Sequence, residues 1–179
     1  MLRPNRKTVA DYMALPEYPR VELIDGEFFV TAAPNLTHQR IIRNLILLLQ
    51  PQVEQLGLGE VFQSPVDCVL SDEDVVQPDV LFVAVTHKAR LENLVNGPPD
   101  LAVEVLSPWN SERDRIVKRD LYLESGVEEY WISDPETRTV EVRRRKQDAW
   151  EIQRLYAGGD EIPSAQLPGV RIPVSEIFK

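Results

Sequence analysis

Cysteine and histidine are scarce in this 179-residue chain, which contains one Cys and two His. The single thiol, Cys68, excludes a disulfide within the chain and favours a reducing compartment. One Cys and two His also cannot supply the four ligands of a Cys/His zinc site. The sequence therefore excludes a disulfide scaffold and a zinc finger.

Long apolar runs are missing as well. No stretch approaches the roughly 20 residues that a membrane-spanning helix needs. The N-terminus is basic over residues 3–7, but no apolar segment of the signal-peptide type follows it. We therefore expect a cytoplasmic protein without a membrane partner, folded as one domain over residues 1–179.

Positive charge is in deficit, with 20 Lys and Arg against 29 Asp and Glu and a net charge of −9. This balance counts against strong non-specific binding of nucleic acid by the whole surface, but it leaves room for a local basic patch. The one basic run lies at 143–146. We interpret it as a solvated strand end in preference to a nucleic-acid contact.

Two short apolar runs each carry one acid. Glu104 lies inside the run 101–106, and Asp79 lies near the start of the run 78–83, 25 residues earlier. Such runs between turn residues are typical of strands covered on both faces, where an isolated carboxylate must be neutral, paired or bound to a metal. If the strands are neighbours, both acids face one pocket, and oxygen ligands suit a hard cation such as Mg²⁺.

The remaining pattern predicts alternating helices and strands. An N-cap at Thr8 begins a short helix, and Asp25-Gly26 predicts the turn of a hairpin over 21–31. Apolar periodicity predicts helices over 37–56 and 112–124. Further strands are predicted at 60–70, with or without a bend at Pro65, and at 127–133, 139–145 and 149–156.

Lys118 occupies an unusual position on the second long helix. At 100° per residue, Lys118 and Asp114 share the arc of the apolar residues Val117 and Leu121. One interpretation is a helix ion pair between Lys118 and Asp114 with the lysine stem packed on the core. The other is a lysine directed into a functional site.

Two other polar residues leave similar alternatives open. His38 falls within the apolar arc of the first long helix. It is either a hydrogen-bonded residue at the edge of the core, the interpretation that we favour, or part of the rim of a functional site. Glu22 lies on the first arm of the hairpin, as either a solvated strand residue or part of the acidic site.

The ordered set of motifs resembles the PD-(D/E)xK nuclease superfamily and, more closely, the Uma family of restriction endonuclease-like proteins. The resemblance extends from about Val9 to Phe178. The superfamily places a lysine two residues after its strand glutamate, where this chain has Leu106, and the resemblance implies that Lys118 has taken over that role. The matching residues are 21–27, 38–40, 77–80, 99–108, 126–135, Arg113, Asp114, Lys118 and Tyr122.

The resemblance implies an α/β fold with a restriction endonuclease-like core. This core is a mixed central β-sheet flanked by helices, with an N-terminal β-hairpin and extra C-terminal strands. It also implies a metal-dependent endonuclease that hydrolyses phosphodiester bonds, foremost in DNA, with Mg²⁺ as cofactor and Mn²⁺ as a substitute. Two alternatives stay open: a nuclease-fold module that binds nucleic acid or protein without cutting, and a hydrolase of RNA or a small phosphoester.

The same resemblance assigns roles to individual residues. Asp79, Glu104 and Lys118 are expected to be catalytic. The expected metal ligands are Asp79, Glu104, the main-chain carbonyl of Val105, and Glu22 as the residue that completes the set. Supporting positions around them are expected at Gln77, Tyr122, His38 and Asp114. Because duplex cleavage requires two scissile phosphates to be served, we also expect a homodimer.

Overall fold

The computed structural model describes residues 6–31, 33–107 and 113–179, without the side chains of 113–115. Within these ranges the helices are α1 (Val9–Met13), α2 (Leu36–Leu56), α3 (Arg113–Ser125) and α4 (Val174–Ile177), with a 3₁₀ helix at Val85–Arg90. The strands are β1 (Val21–Ile24), β2 (Glu27–Val30), β3 (Gly59–Gln63), β4 (Cys68–Ser71), β5 (Asp74–Val76), β6 (Val80–Ala84), β7 (Val95–Asn96), β8 (Leu101–Val105), β9 (Glu129–Asp134), β10 (Thr139–Lys146) and β11 (Ala149–Ala157).

Local signals account for the N-terminal elements. Thr8 and Asp11 form the predicted capping box at the start of α1. Asp25 and Gly26 both have positive φ, as a type I′ turn requires, and they join β1 and β2 in an antiparallel hairpin. These predictions from sequence are confirmed.

Helix α2 is also close to its predicted span. Asn35 caps its first turn by accepting from the backbone N–H of His38, and Gly57 ends it in the left-handed conformation. Its buried face packs on the six-stranded sheet described next, through Ile41, Ile42, Leu45, Leu49 and Val53.

The strands form two sheets. The six-stranded sheet has the order β11-β10-β9-β8-β6-β3. It is mixed, because β8 and β9 run parallel whereas every other pair of neighbouring strands in this sheet is antiparallel. Helices α2 and α4 contribute to the core on one face of this sheet, and α3 contributes to the core on the other. The mixed central sheet flanked by helices, the N-terminal hairpin and the C-terminal strands β10 and β11 are therefore confirmed.

The second sheet corrects one prediction. Its order is β2-β1-β5-β4-β7, and it takes up the second half of what we expected to be a single strand over 60–70. β3 ends at Gln63 in the six-stranded sheet, and β4 begins at Cys68 in the five-stranded sheet. Pro65 has no N–H with which to continue a ladder, so the chain leaves one sheet there and joins the other.

The chain thus crosses between the sheets at 64–67 and returns at 77–79. The described helices include none long and apolar enough to cross a membrane. The single domain that we expect over residues 1–179 stays a prediction. One hydrophobic cluster that contains residues of both sheets supports it.

Candidate active site at the junction of the sheets

Strand register brings the two predicted acids together. β6 and β8 are antiparallel with Val80 opposite Val103, so the next pair along the ladder is Asp79 and Glu104. Side chains of directly opposed residues lie on the same face. The backbone N–H of Val105 donates to Oδ2 of Asp79 at 2.7 Å, which fixes this carboxylate at the end of the ladder.

Helix α3 supplies two side chains to the same face. The ammonium Nζ of Lys118 lies 3.0 Å from Oε1 of Glu104. One turn later, the hydroxyl of Tyr122 donates to that oxygen at 2.6 Å. Both residues are buried, as their apolar arc predicted. The lysine from the helix therefore reaches the strand glutamate.

Glu22 comes from β1 of the other sheet and is 4% exposed, so its interpretation as a solvated strand residue is wrong. Its Oε1 lies 2.9 Å from Nζ of Lys118. The same oxygen accepts the backbone N–H of Gln77 at 2.8 Å. Lys118 is therefore held between one carboxylate from each sheet.

His38 reaches the site from the first turn of α2. Its Nε2 lies 3.1 Å from Oδ2 of Asp79, and the imidazole is mostly buried. Within the described residues, the buried Nδ1 has no hydrogen-bond partner. His38 thus contacts one of the candidate site residues as well as bordering the core.

The pKa values reflect a buried cluster with more acids than bases. Burial, together with the negative charges of Asp79 and Glu22, raises the pKa of Glu104 to about 7, although Lys118 and Tyr122 oppose the shift. Burial disfavours the Lys118 ammonium, but the charges of Glu104 and Glu22 prevail and hold its pKa well above the usual value. Lys118 is therefore a hydrogen-bond donor in this arrangement.

His38 shows the same balance. Burial would lower the pKa of its imidazole, but the hydrogen bond to Asp79 and the charges of Asp79 and Glu104 raise the pKa overall. The carboxylates thus favour protonation of both nearby bases. A cluster that draws cations in this way is suited to binding a further positive charge.

The donor set fits a magnesium ion that keeps several of its waters. Among the described residues, no group of three or more His, Cys, Asp or Glu side chains is arranged to hold a metal ion. Mg²⁺ commonly takes only one or two carboxylates and fills its other positions with water and substrate oxygens. Asp79 and Glu104 meet that requirement. Their contacts within the described chain fall on Oδ2 of Asp79 and on Oε1 of Glu104, so Oδ1 of Asp79 and Oε2 of Glu104 are the oxygens that can face the ion.

Three other predicted positions have different outcomes. The side chain of Asp114 lies outside the described residues, so its expected supporting position, like the alternative ion pair with Lys118, stays a prediction. Gln77 lies beside the site and holds Glu22 through its backbone. The side chains of the basic run 143–146 form ion pairs with Glu141, Glu129, Glu128 and Glu151, in keeping with a strand end and not a free basic patch.

Sequence reasoning missed two residues next to the site, Asp67 and Tyr12. Tyr12 donates from its hydroxyl to Oδ1 of Asp67 at 2.8 Å, and Nε2 of Gln77 donates to the same oxygen at 2.8 Å. The only available signal was a charged residue in the otherwise apolar stretch 66–70. Nothing in the sequence pointed to Tyr12.

A mixed sheet flanked by helices, with two acids opposed across neighbouring strands and a helix lysine in contact with one of them, defines a restriction endonuclease-like nuclease fold. In accord with this, the structure matches a crystal structure titled as a "putative nuclease belonging to DUF820" from Anabaena variabilis, with a TM-score of 0.81 and 23% sequence identity over 96% of this chain and 97% of that one.

The family follows from the sequence itself. The profile of the Uma2 family, described as "Putative restriction endonuclease", matches residues 9–175, and the chain belongs to this family. Among curated proteins, none matches the chain. Membership of the family supports a nuclease function.

Proposed function

We propose that the protein is a metal-dependent endonuclease that hydrolyses phosphodiester bonds in DNA. The observation that carries the proposal is the contact between Nζ of Lys118 and Oε1 of Glu104, on the face that Glu104 shares with Asp79. A buried ammonium beside two carboxylates can bind an anionic phosphate once part of the negative charge is neutralised by a cation.

Asp79 and Glu104 would hold the ion, Mg²⁺ with Mn²⁺ as a substitute, together with the carbonyl of Val105. When bound, the ion makes water more acidic and neutralises charge on the phosphate. Glu22 was expected as a further ligand, but its contact with Lys118 favours a role in holding the lysine.

Lys118 would act mainly by donating hydrogen bonds, because its pKa lies well above the usual value. Its ammonium would orient the attacking water or stabilise the negative charge that grows on the phosphate oxygens. Tyr122 would help to set the rotamer of Glu104 by donating to the same oxygen, Oε1, that Lys118 contacts. His38 would hold the orientation of Asp79 through the 3.1 Å contact between Nε2 and Oδ2.

The assembly and the setting complete the proposal. The described residues of one chain offer one such site, so cleavage of both strands of a duplex calls for a homodimer. The cytoplasm stays the proposed location, supported by the lone, buried and unpaired Cys68.

The decisive experiment compares the wild-type protein with Asp79→Asn and Glu104→Gln on supercoiled, linear and branched DNA and on RNA, with Mg²⁺ or Mn²⁺. Each variant keeps an oxygen acceptor for its neighbours but loses the charge that binds the ion, so cleavage should fall below detection. Glu60→Gln, at an exposed position of β3, is the matched control and should cut normally.

Cleavage that survives in both variants, or in EDTA, would exclude this site. Binding of DNA without cutting in the wild-type protein would favour the non-cleaving module. A preference for RNA in the same assay would replace the substrate but leave the site in place.

A further inference from the structure

Asp67 is a partly buried carboxylate next to the site, and the proposed chemistry gives it no role. It lies in the crossing 64–67 between the sheets, partly buried, directly before β4. Its Oδ1 accepts two hydrogen bonds, one from the hydroxyl of Tyr12 and one from Nε2 of Gln77, each at 2.8 Å. Gln77 belongs to the other crossing, so Asp67 ties the two crossings together.

Gln77 continues the connection towards the site. Its backbone N–H donates to Oε1 of Glu22 at 2.8 Å, and that oxygen lies 2.9 Å from Nζ of Lys118. A continuous chain of polar contacts thus runs from Tyr12 on the N-terminal helix through Asp67, Gln77 and Glu22 to the lysine. The negative charge of Glu22 also helps to raise the pKa of Tyr12.

Asp79 is held by other contacts. Its carboxylate is fixed by His38 and by the backbone of Val105, and its carbonyl accepts the backbone N–H of Ser64 at 3.0 Å. None of these contacts passes through Asp67. The path from Asp67 therefore reaches the lysine through Glu22, and it reaches a proposed metal ligand, Glu104, only beyond the lysine.

We propose that Asp67, together with Tyr12, is a positioning residue that sets the location of the Lys118 ammonium through Gln77 and Glu22. This inference rests on the proposed nuclease function of the same site. A displacement of about 1 Å at a reacting group can reduce a rate severely, so a clamp remote from the reacting atoms still affects turnover.

The pKa of Tyr12 agrees with this arrangement. Burial, the hydrogen bond to Asp67 and the nearby negative charges of Asp67 and Glu22 raise the pKa, and they outweigh the opposing hydrogen bond that Nε2 of Gln77 donates to the Tyr12 hydroxyl at 3.3 Å. The hydroxyl therefore remains protonated and serves as a permanent donor. To hold Tyr12 and Gln77, residue 67 needs only a well-placed acceptor oxygen, and an asparagine provides one as well.

The test compares Asp67→Ala, Asp67→Asn and Tyr12→Phe by the maximal cleavage rate and by the Mg²⁺ concentration that gives half of it. Asp67→Ala should lower the maximal rate about 10-fold, the usual scale for residues that orient a reacting group, and leave the half-saturating Mg²⁺ concentration unchanged. Asp67→Asn should retain most of the rate, and Tyr12→Phe should fall between them. Asp148→Ala, at an exposed turn position, controls for the loss of one aspartate.

A double mutant separates positioning from a general structural effect. In a Lys118→Met background, Asp67→Ala should cause no further loss of rate, because the group it positions is absent. An equal further loss in that background, or a change in the half-saturating Mg²⁺ concentration as large as the change in rate, would overturn the inference.

A stability measurement keeps the two proposals distinguishable. If the wild-type protein cuts no substrate, the nuclease proposal fails, but the polar chain can still be tested through thermal unfolding of Asp67→Ala, Glu22→Gln and the double variant. Coupled residues should give a smaller loss of Tm together than the sum of the single losses. Strictly additive losses would contradict the chain of contacts.

Discussion

Lys118 is the residue whose replacement best tests whether the proposed site is active. Its Nζ lies within 3.0 Å of carboxylate oxygens from both sheets, and the residue is 9% exposed. Removing this charge would leave Glu22 and Glu104 without their shared counter-ion. The position therefore affects both stability and the proposed chemistry, and the two effects can be measured on one variant.

We expect Lys118→Met to lower the single-turnover cleavage rate by ~10²-fold or more, as for the loss of a transition-state donor. The methionine keeps most of the packing of the stem, so the protein should still fold. Lys118→Arg should not rescue the rate, because the planar guanidinium does not match the point-like ammonium. Unchanged cleavage in Lys118→Met would reduce the lysine to an ion-pair partner.

Glu104 gives a pH dependence to the metal-free protein. Its pKa is about 7 in the folded state against 4.5 for an ordinary glutamate, so the folded state binds more protons between these values. The free energy of unfolding should therefore fall as the pH rises from about 5 to about 7, by on the order of 1–3 kcal/mol from this group.

Thermal unfolding in EDTA tests this sign. The Tm of Glu104→Gln, measured relative to wild type, should rise from pH 5 to pH 7 and then level off, at about 2–4 °C per kcal/mol for a chain of this size. Glu60→Gln provides the reference for loss of an exposed carboxylate. Parallel curves for wild type and Glu104→Gln would contradict the raised pKa.

At this scale the sequence predicted part of the site. The apolar arc of α3 was enough to direct Lys118 and Tyr122 inward, and single acids in apolar runs were enough to single out Asp79 and Glu104. Asp67 and Tyr12 could not be found, because their contacts join residues 55 positions apart across a crossing between sheets. No local periodicity records such a contact.

Among the elements, the agreement follows the strength of the local signal. The capping box of α1, the Asp25-Gly26 turn and the long periodic α2 were predicted within a residue or two. The region 60–70 was not, because the choice between one bent strand and two strands depends on which partners β3 and β4 find. Those partners, β6 and β5, lie later in the chain.

The junction of β3 and β6 allows a prediction at the level of the element. Gly59 pairs with Ala84, and a Cβ added at Gly59 would collide with the carbonyl oxygen of Val83. Because this neighbour is backbone within the sheet, it cannot move aside cheaply. We expect Gly59→Ala to lower the free energy of unfolding by about 2 kcal/mol or more, in the range of overpacked sites.

Gly158→Ala is the matched control, since no atom lies within 4 Å of its added Cβ. It should change the unfolding midpoint in urea little. Equal midpoints for the two alanine variants would mean that the start of β3 yields more readily than its pairing with β6 indicates.

At the scale of the whole molecule, the net charge is −9, and in the part of the chain that the structure describes the ion pairs of the basic run leave little broad positive surface for a duplex. Cleavage of DNA would therefore depend on the site itself and on presenting two sites to one duplex. Apolar side chains that could support a two-fold contact are exposed on α3, at Ile116, and on the edge strand β11, at Ile152 and Leu155.

We expect a homodimer in light scattering at micromolar concentration. Ile116→Glu and Ile152→Glu, each placing a charge in one of the two candidate contacts, should identify the interface by which of them yields a monomer. Loss of duplex cleavage with retained nicking in the same variant would connect assembly to function. A wild-type monomer would contradict the expectation.

The division of the site between two sheets has a practical consequence. Glu22 arrives on the N-terminal hairpin, whereas Asp79, Glu104 and Lys118 all follow α2. A chain cut between β2 and α2 would separate Glu22 and Tyr12, which both help to position the lysine, from the rest of the site. We expect neither piece to cleave nucleic acid alone, and we expect activity to return when the two are brought together. Fused to two other proteins, the pieces would then report whether those proteins are close to each other.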